Sequence, residues 1–337
     1  MILVTGGAGF IGSHLVEALI ARGEKVRILD NLSTGRKENL EEITGGSFPD
    51  LESLPEGTFI SLHEKVEFLF GDVGNLETCR QACQGINEIF HLAALGSVQR
   101  SVEDPIATHY ANATGTLNIL KAAGEEKVKR VIYASSSSVY GNISVNPEEV
   151  IPKLESLPPH PQSPYAATKL MGEEYCRIFA DLYGLETVSL RYFNVFGPRQ
   201  NPNSIYAAVV PKFIVALLSG EPPIIFGDGE QSRDFTYVTN VVEANLLAMK
   251  AEQASGTVFN IACGKRTSVN KLLNYLQEIS GRQIAPKYME ARKGEVRHSL
   301  ADIKLAQKEL GYQVKVDLRI GLEKTWEWFQ KKWPRAY

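Results

Sequence analysis

Short apolar runs alternate with helical spacing along the first half of the chain. Residues 2–4 form a run, and over residues 10–21 Ile11, Leu15, Leu19 and Ile20 recur at the period of a helix. Further apolar runs stand at 26–29, 66–70, 86–92 and 131–134. Strands alternating with helices predict βαβ units, and so a parallel sheet covered on both faces. Between Asn31 and Lys65 the pattern lapses into Gly, Ser, Pro and charge, and only a long excursion after the second strand is expected. From Pro198 the alternation breaks down into proline-punctuated loops around helical stretches at 211–219, 238–250 and 269–280, with a strand at 257–261. Leu318, Leu322, Trp326 and Phe329 mark a last helix stripe whose expected role is packing. The fold class expected is α/β: a doubly wound parallel sheet with a smaller mixed α/β C-terminal lobe.

The 337 residues suit about two domains. Residues 1–197 are expected to form the nucleotide-binding one, with 236–262 returning to it, and 198–337 mainly the lobe. Apolar residues at 44% and charged residues at 22% are ordinary globular values, which excludes disordered and collagen-like readings. The net charge of −3, with no basic block, gives no electrostatic case for nucleic acid. No apolar run approaches the ~18 residues of a membrane span, and no charged leader precedes the first strand. Cys79, Cys83, Cys176 and Cys263 form no CxxC, and the six histidines show no zinc spacing, so neither a disulfide framework nor a metal site is expected. The plain expectation is a reduced, cytoplasmic protein.

Two constellations carry chemistry. Gly6-Gly7-Ala8-Gly9-Phe10-Ile11-Gly12 follows a strand and opens a helix, where glycines permit the tight turn and let the backbone approach a pyrophosphate. Asp30 ends the second strand, 18 residues beyond Gly12, near the spacing of a carboxylate that binds an adenosine ribose and repels a 2′-phosphate. NAD is therefore expected over NADP, on a Rossmann-type sheet. Further on, the strand at 131–134 runs into Ser135-Ser136-Ser137-Ser138, and Tyr165 and Lys169 stand four apart on one helix face. An ammonium beside a phenol lowers its pKa, which would make Tyr165 a base near neutral pH with a serine hydroxyl sharing the substrate oxygen. Each motif alone has a bland reading, a glycine turn or a chance YxxxK. Their joint occurrence in this order favours an enzyme over a non-catalytic dinucleotide sensor, which has no use for Ser136, Tyr165 and Lys169 together.

With these residues the chain resembles the extended short-chain dehydrogenases/reductases acting on nucleotide sugars. Within them it is most similar to the UDP-hexose 4-epimerases, in the branch accepting N-acetylated sugars. The resemblance runs through Asp30-Asn31, Gly71-Asp72-Val73, His91-Leu92-Ala93-Ala94, Asn112, Arg191-Tyr192-Phe193-Asn194, Gly227-Asp228-Gly229, Arg233-Asp234-Phe235 and the stretch from Arg292 to Ser299. It implies that Gly6, Gly9, Phe10, Ile11, Gly12, Asp30, Asn31, Ser33, Thr34, Gly35, Asp72, Val73, Leu92, Ala93, Ala94 and Asn112 line NAD. Tyr165, Lys169, Tyr192 and Phe193 would close that site, and Ser136, Tyr165 and Lys169 would be catalytic. Asn194, Arg233 and Arg292 would hold the diphosphate of a UDP-sugar, Glu295 the uridine ribose, and Val209, Ile224, Ile225 and Phe226 the uracil. Ser137, Ser138 and Ser299 would face the sugar. Relatives restricted to plain hexoses carry a tyrosine at the position of Ser299, so a small residue implies room for an N-acetyl group. Dehydratases and glucuronate decarboxylases place a carboxylate where this chain has Ser138, which argues against both. A 4-epimerase of plain hexoses or of uronic acids stays open. The resemblance also implies a homodimer, paired through helical stretches around 101–123 and 165–183.

Overall fold

The computed structural model describes residues 1–49, 54–143, 149–202, 208–291 and 296–332. Three strands follow the apolar runs, β1 (Ile2–Thr5), β2 (Val26–Asp30) and β4 (Val66–Phe70), while β3 (Thr58–His63) lies outside them. Three more, β5 (Glu88–His91), β6 (Arg130–Ser136) and β7 (Glu186–Tyr192), extend the series. With the strand Thr257–Ile261 they form one eight-stranded sheet in the order Thr257–Ile261, β7, β6, β5, β1, β2, β4, β3. All its pairings are parallel except β3 against β4. The parallel strands are apolar on both sides because both faces are covered: Ile2, Val4, Ile28 and Phe90 join one core, Leu3, Leu29, Ile89 and Val131 the other.

The chain leaves β1 toward β2 and β4 on one side, then returns to β5 and continues through β6 and β7 on the other. The strand order therefore reverses between β1 and β5, and the crevice outside their carboxyl ends is where such sheets bind ligands. Gly6 follows β1 there and Leu92 follows β5. The strand Thr257–Ile261 pairs with β7, so a segment from beyond Pro198 lies in the main sheet. A third core, with Phe196, Phe213, Ile214, Leu272, Leu322, Trp326 and Phe329, fills the C-terminal region and absorbs the last helix stripe as packing.

The excursion after β2 is more regular than its sequence suggests. It holds a helix, Lys37–Thr44, and the edge strand β3, whose side chains alternate between inward positions, half-buried at Thr58 and Ile60 and buried at Leu62, and exposed ones. An edge strand with one wetted face carries a short, half-polar alternation that gives no apolar run. The stretch 98–125 is likewise divided, into helices Val98–Glu103, Pro105–His109 and Gly115–Glu125 around a π-helical turn, Tyr110–Thr114.

The helix Pro164–Tyr183 crosses β6 closely at Gly172, where an added Cβ would lie 2.2 Å from the Tyr133 hydroxyl oxygen. Tyr133 is fully buried, so its ring has little room to give way. Gly172→Ala should therefore destabilise the protein by about 1–3 kcal/mol, seen as a lower denaturant midpoint. Turnover should fall too, because the same helix carries Tyr165 and Lys169; an unchanged midpoint would show that the helix moves freely on the sheet.

Candidate active site

The nucleotide end of the crevice is built from backbone allowed to come close. Gly6 has φ +70°, and a Cβ there would sit 2.7 Å from the Ala93 amide nitrogen. A Cβ on Gly12 would sit 2.1 Å from the Gly6 carbonyl oxygen. The helix Phe10–Ala21 (α1) thus starts directly against β1, with no side-chain cap and no acidic residue in its first turn. Its free N–H groups and dipole suit an anion. Asp30, at the end of β2, accepts hydrogen bonds from Ala8 N (2.9 Å) and Leu32 N (2.8 Å). Burial lifts its pKa to about 6 despite those two bonds, so the carboxylate lacks the solvation that hydroxyl donors of a ribose would restore. Gly35 closes over it, since a Cβ would lie 2.9 Å from both carboxylate oxygens. On the other side Asn31 donates to Asp72 (2.7 Å), which also accepts from Gly74 N. These observations fit a dinucleotide whose pyrophosphate meets α1 and whose ribose meets Asp30.

A polar brace unremarked in the motifs holds the floor of the crevice. Thr116 donates to the Asn112 carbonyl and so accepts from His91 Nε2, at 3.0 Å. His91 Nδ1 then accepts from Thr5 Oγ1 at 2.7 Å, and that oxygen accepts from Ala93 N. The tautomer follows from this chain of donors. Burial, with the Lys169 charge nearby, lowers the His91 pKa to about 3, so the ring is a neutral strut. Asn112 sits in the π-helical turn, accepts from Leu95 N (2.8 Å) and donates to Thr168 Oγ1 (3.1 Å). It connects the strand-end segment Leu92–Leu95 to the tyrosine helix.

Ser136 ends β6 and caps the short 3₁₀ turn Ser137–Tyr140, its Oγ accepting from Ser138 N at 3.2 Å. Ser163 caps the helix Pro164–Tyr183 by accepting from Ala166 N, and Pro164 sets its first turn. Tyr165 is thereby brought near Ser136, whose hydroxyl favours the ionised form of its phenol. Lys169 lies below, its Nζ 6.0 Å from the Tyr165 ring centre and donating to the Ala134 carbonyl at 2.8 Å. One sequence expectation is corrected here. Burial raises the Tyr165 pKa above its ordinary value, offset only in part by Ser136. The i, i+4 spacing gives proximity, but the ammonium is directed at a main-chain carbonyl and burial outweighs it. The Lys169 pKa is itself lowered by burial to about 8.

On the facing side Phe193 is buried, and Asn194 holds a left-handed φ of +36° while donating to the Asp234 carbonyl at 3.3 Å. Arg233 donates to the carbonyls of Ser232 and Arg297. Asp234 is a tie that the motif reading left without a role. Its buried carboxylate accepts from Cys263 N, Gly264 N and Ala301 N, and so fixes the segment bearing Ser299. Ser299 is 5% exposed and its N–H donates to the Ser232 carbonyl at 3.0 Å. Ser138 Oγ is buried with no hydrogen-bond partner among the described residues. Ile224, Ile225 and Phe226 form a short strand paired with Lys287–Met289, and Val209 opens the helix Val209–Ser219. Arg292 and Glu295 lie outside the described residues. Among the described residues no group of three or more His, Cys, Asp or Glu side chains is placed to hold a metal, and no helix is long and apolar enough to cross a membrane.

A doubly wound sheet with a glycine cradle, a buried carboxylate ending β2 and a Ser–Tyr–Lys set fits a nicotinamide-dependent enzyme. Residues 2–262 match the NAD dependent epimerase/dehydratase family, and the chain belongs to that family. It is 40% identical to the UDP-N-acetylglucosamine 4-epimerase of Methanobrevibacter ruminantium M1, solved in complex with UDP-N-acetylmuramic acid, over 98% of both chains with a TM-score of 0.86. It is also 40% identical to the UDP-glucose 4-epimerase of Thermotoga maritima, solved with UDP-glucose, over 98% of this chain and 99% of that one with a TM-score of 0.87. A putative UDP-glucose 4-epimerase of Methanocaldococcus jannaschii is 38% identical over 334 residues, 98% of each chain. The resemblance to UDP-hexose 4-epimerases drawn from the motifs is borne out, and the cofactor is NAD.

The nucleotide released from purified protein should therefore be NAD and not NADP, identified by mass after denaturation. Stoichiometric NADP would overturn the assignment of Asp30 to the ribose, because a 2′-phosphate beside that buried carboxylate places like charges together.

Proposed function

We propose that the protein inverts carbon 4 of a UDP-hexose and that its preferred pair is UDP-GlcNAc and UDP-GalNAc. The observation that carries the first part is the approach of Tyr165 to Ser136 at the carboxyl end of β6, with Lys169 one helical turn away. Bound NAD⁺ would supply the acceptor for the carbon-4 hydride and return that hydride to the sugar. Tyr165, as a phenolate supported by Lys169, takes the proton of the 4-hydroxyl and becomes a phenol, while Ser136 hydrogen-bonds the same oxygen. Asn194, Arg233, Arg292 and Glu295 hold the nucleotide, while Val209 and Ile224 to Phe226 take the uracil. That anchor is binding energy remote from the reacting carbon, which keeps the 4-keto sugar bound while it turns over.

The N-acetyl preference is supported by the small side chains Ser299 and Ser137, and by the orphaned Ser138 hydroxyl close to the catalytic serine. The M. ruminantium relative, named for UDP-N-acetylglucosamine, agrees with it. A homodimer is part of the same reading. Its support is the exposed apolar set Val102, Ile106, Leu182 and Tyr183 on the helices flanking and including Pro164–Tyr183. Apolar residues gathered on neighbouring helices suit a partner surface.

Tyr165→Phe should lower turnover by ~10²–10⁴-fold with UDP-sugar binding kept, since it removes the proton acceptor and little volume. Near-normal turnover in the folded variant would sink the mechanism. The specificity reading is tested by kcat/KM on UDP-GlcNAc, UDP-Glc and their uronic acid forms in wild type and Ser299→Tyr, with bound NAD checked in both. The expected result is wild-type preference for UDP-GlcNAc and a loss on that sugar much greater than on UDP-Glc, because the added ring clashes with the 2-acetamido group alone. Equal losses, or preference for a uronic acid, would remove the N-acetyl assignment and leave the 4-epimerase standing.

A further inference from the structure

Glu173 is a buried carboxylate that the reaction as described does not use. It stands one turn beyond Lys169 on the same face of the helix Pro164–Tyr183. Ser135, on β6, donates its hydroxyl to Glu173 Oε1 at 2.5 Å. Arg191, on β7, donates through Nε to Oε1 at 2.8 Å and through Nη2 to Oε2 at 2.6 Å. Ser135 and Arg191 are paired residues of neighbouring strands. One carboxylate therefore clamps three elements. Ser135 immediately precedes Ser136, Arg191 lies two residues before Phe193, and the helix carries Tyr165 and Lys169. Both partners of the Glu173–Arg191 pair are almost wholly buried.

We propose that Glu173 is a positioning residue for the Lys169–Tyr165 pair: it fixes their helix against the serine-bearing strand and supplies the negative charge that lets a buried ammonium persist. The proposal deepens the reading of Tyr165 as the proton-transfer group and rests on it. Among the described residues Lys169 has no carboxylate contact of its own. It donates to the Ala134 carbonyl and lies 5.1 Å from the Tyr133 ring centre. The groups facing it are Tyr165, Glu173 and Cys176 on its own helix, Tyr133 on β6, neutral His91 on β5, and Arg191 on β7 beyond Glu173. The helices packed outside contribute Arg100, Glu103 and His109, which are not among the influences on the ammonium. Burial pushes Lys169 toward its neutral form and Glu173 is the first influence opposing it. A neutral amine gives a tyrosinate no electrostatic support, so the carboxylate acts on Tyr165 through the lysine.

Glu173→Gln tests this, because it keeps the side chain's volume and removes its charge. The first readout is the titration of the Lys169 ε-carbon by NMR in the NAD-bound protein without substrate, the signal assigned by Lys169→Arg. Its midpoint should fall by about one pH unit or more relative to wild type. The second is the pH profile of kcat, whose alkaline limb should move down with it and give about tenfold lower kcat at a fixed pH on that limb. Loosened packing alone lowers kcat at every pH and leaves the limb in place. Glu173→Asp, which restores the charge, should restore the midpoint even if kcat stays reduced. Breaking a buried pair leaves an uncompensated arginine and is strongly destabilising. If Glu173→Gln does not fold, Glu173→Gln with Arg191→Met is read in the same way and should move in the same direction. An unchanged Lys169 midpoint in the folded variant overturns the proposal. The NMR titration needs no substrate, so its failure is distinct from failure of the epimerase reading, which Tyr165→Phe tests.

Discussion

Every part of the site depends on main chain touching main chain at the carboxyl ends of β1 and β5. Gly6 and Gly12 let α1 begin against the strand, and Gly6 lets the segment after β5 lie alongside the segment after β1. A side chain at either position would push the two strand ends apart. The hydrogen bonds that follow, from Ala8 to Asp30 and from Ala93 to Thr5, connect groups that this contact has already brought within reach.

The catalytic half obeys the same logic with side chains in place of backbone. Tyr165 and Ser136 belong to different elements, and only the close seat of a helix on β6 joins them. Gly172 permits that seat, and the Ser135–Glu173–Arg191 contacts sit beside it. Burial then dominates the chemistry: it holds His91 neutral, lifts the Asp30 carboxyl and the Tyr165 phenol, and lowers the Lys169 ammonium. In the protein alone the Tyr165 phenol therefore stays protonated. Under the proposed mechanism, charge brought by ligands would have to shift it, coupling proton transfer to occupancy of the site.

Much of this was legible in the chain. Strands buried on two faces announce themselves as apolar runs, and the glycine loop, Asp30 and the Tyr165–Lys169 spacing are local signals. The edge strand β3 was not legible, because one wetted face breaks the run. The two-residue strands Ser232–Arg233 and Thr236–Tyr237 were hidden because so short a strand has no period. The roles of Asp234 and of the His91 brace depend on partners tens of residues away, so no spacing encodes them. Sequence also placed an ammonium beside Tyr165 without telling where its protons point, and the expected direction of the phenol's shift was wrong for that reason. Glu173 was within sight, four residues after Lys169, but only the cross-strand pairing of Ser135 with Arg191 shows what it grips.

The strand Thr257–Ile261 gives the molecule an order in time as well as in space. During synthesis β7 emerges some seventy residues before the strand that covers its edge. Until then the nascent sheet ends in an open parallel edge, a template for the wrong neighbour. The eight-stranded sheet is therefore complete only once residues 257–261 have joined it. A protein cut before residue 257 would lose a sheet strand along with its C-terminal region.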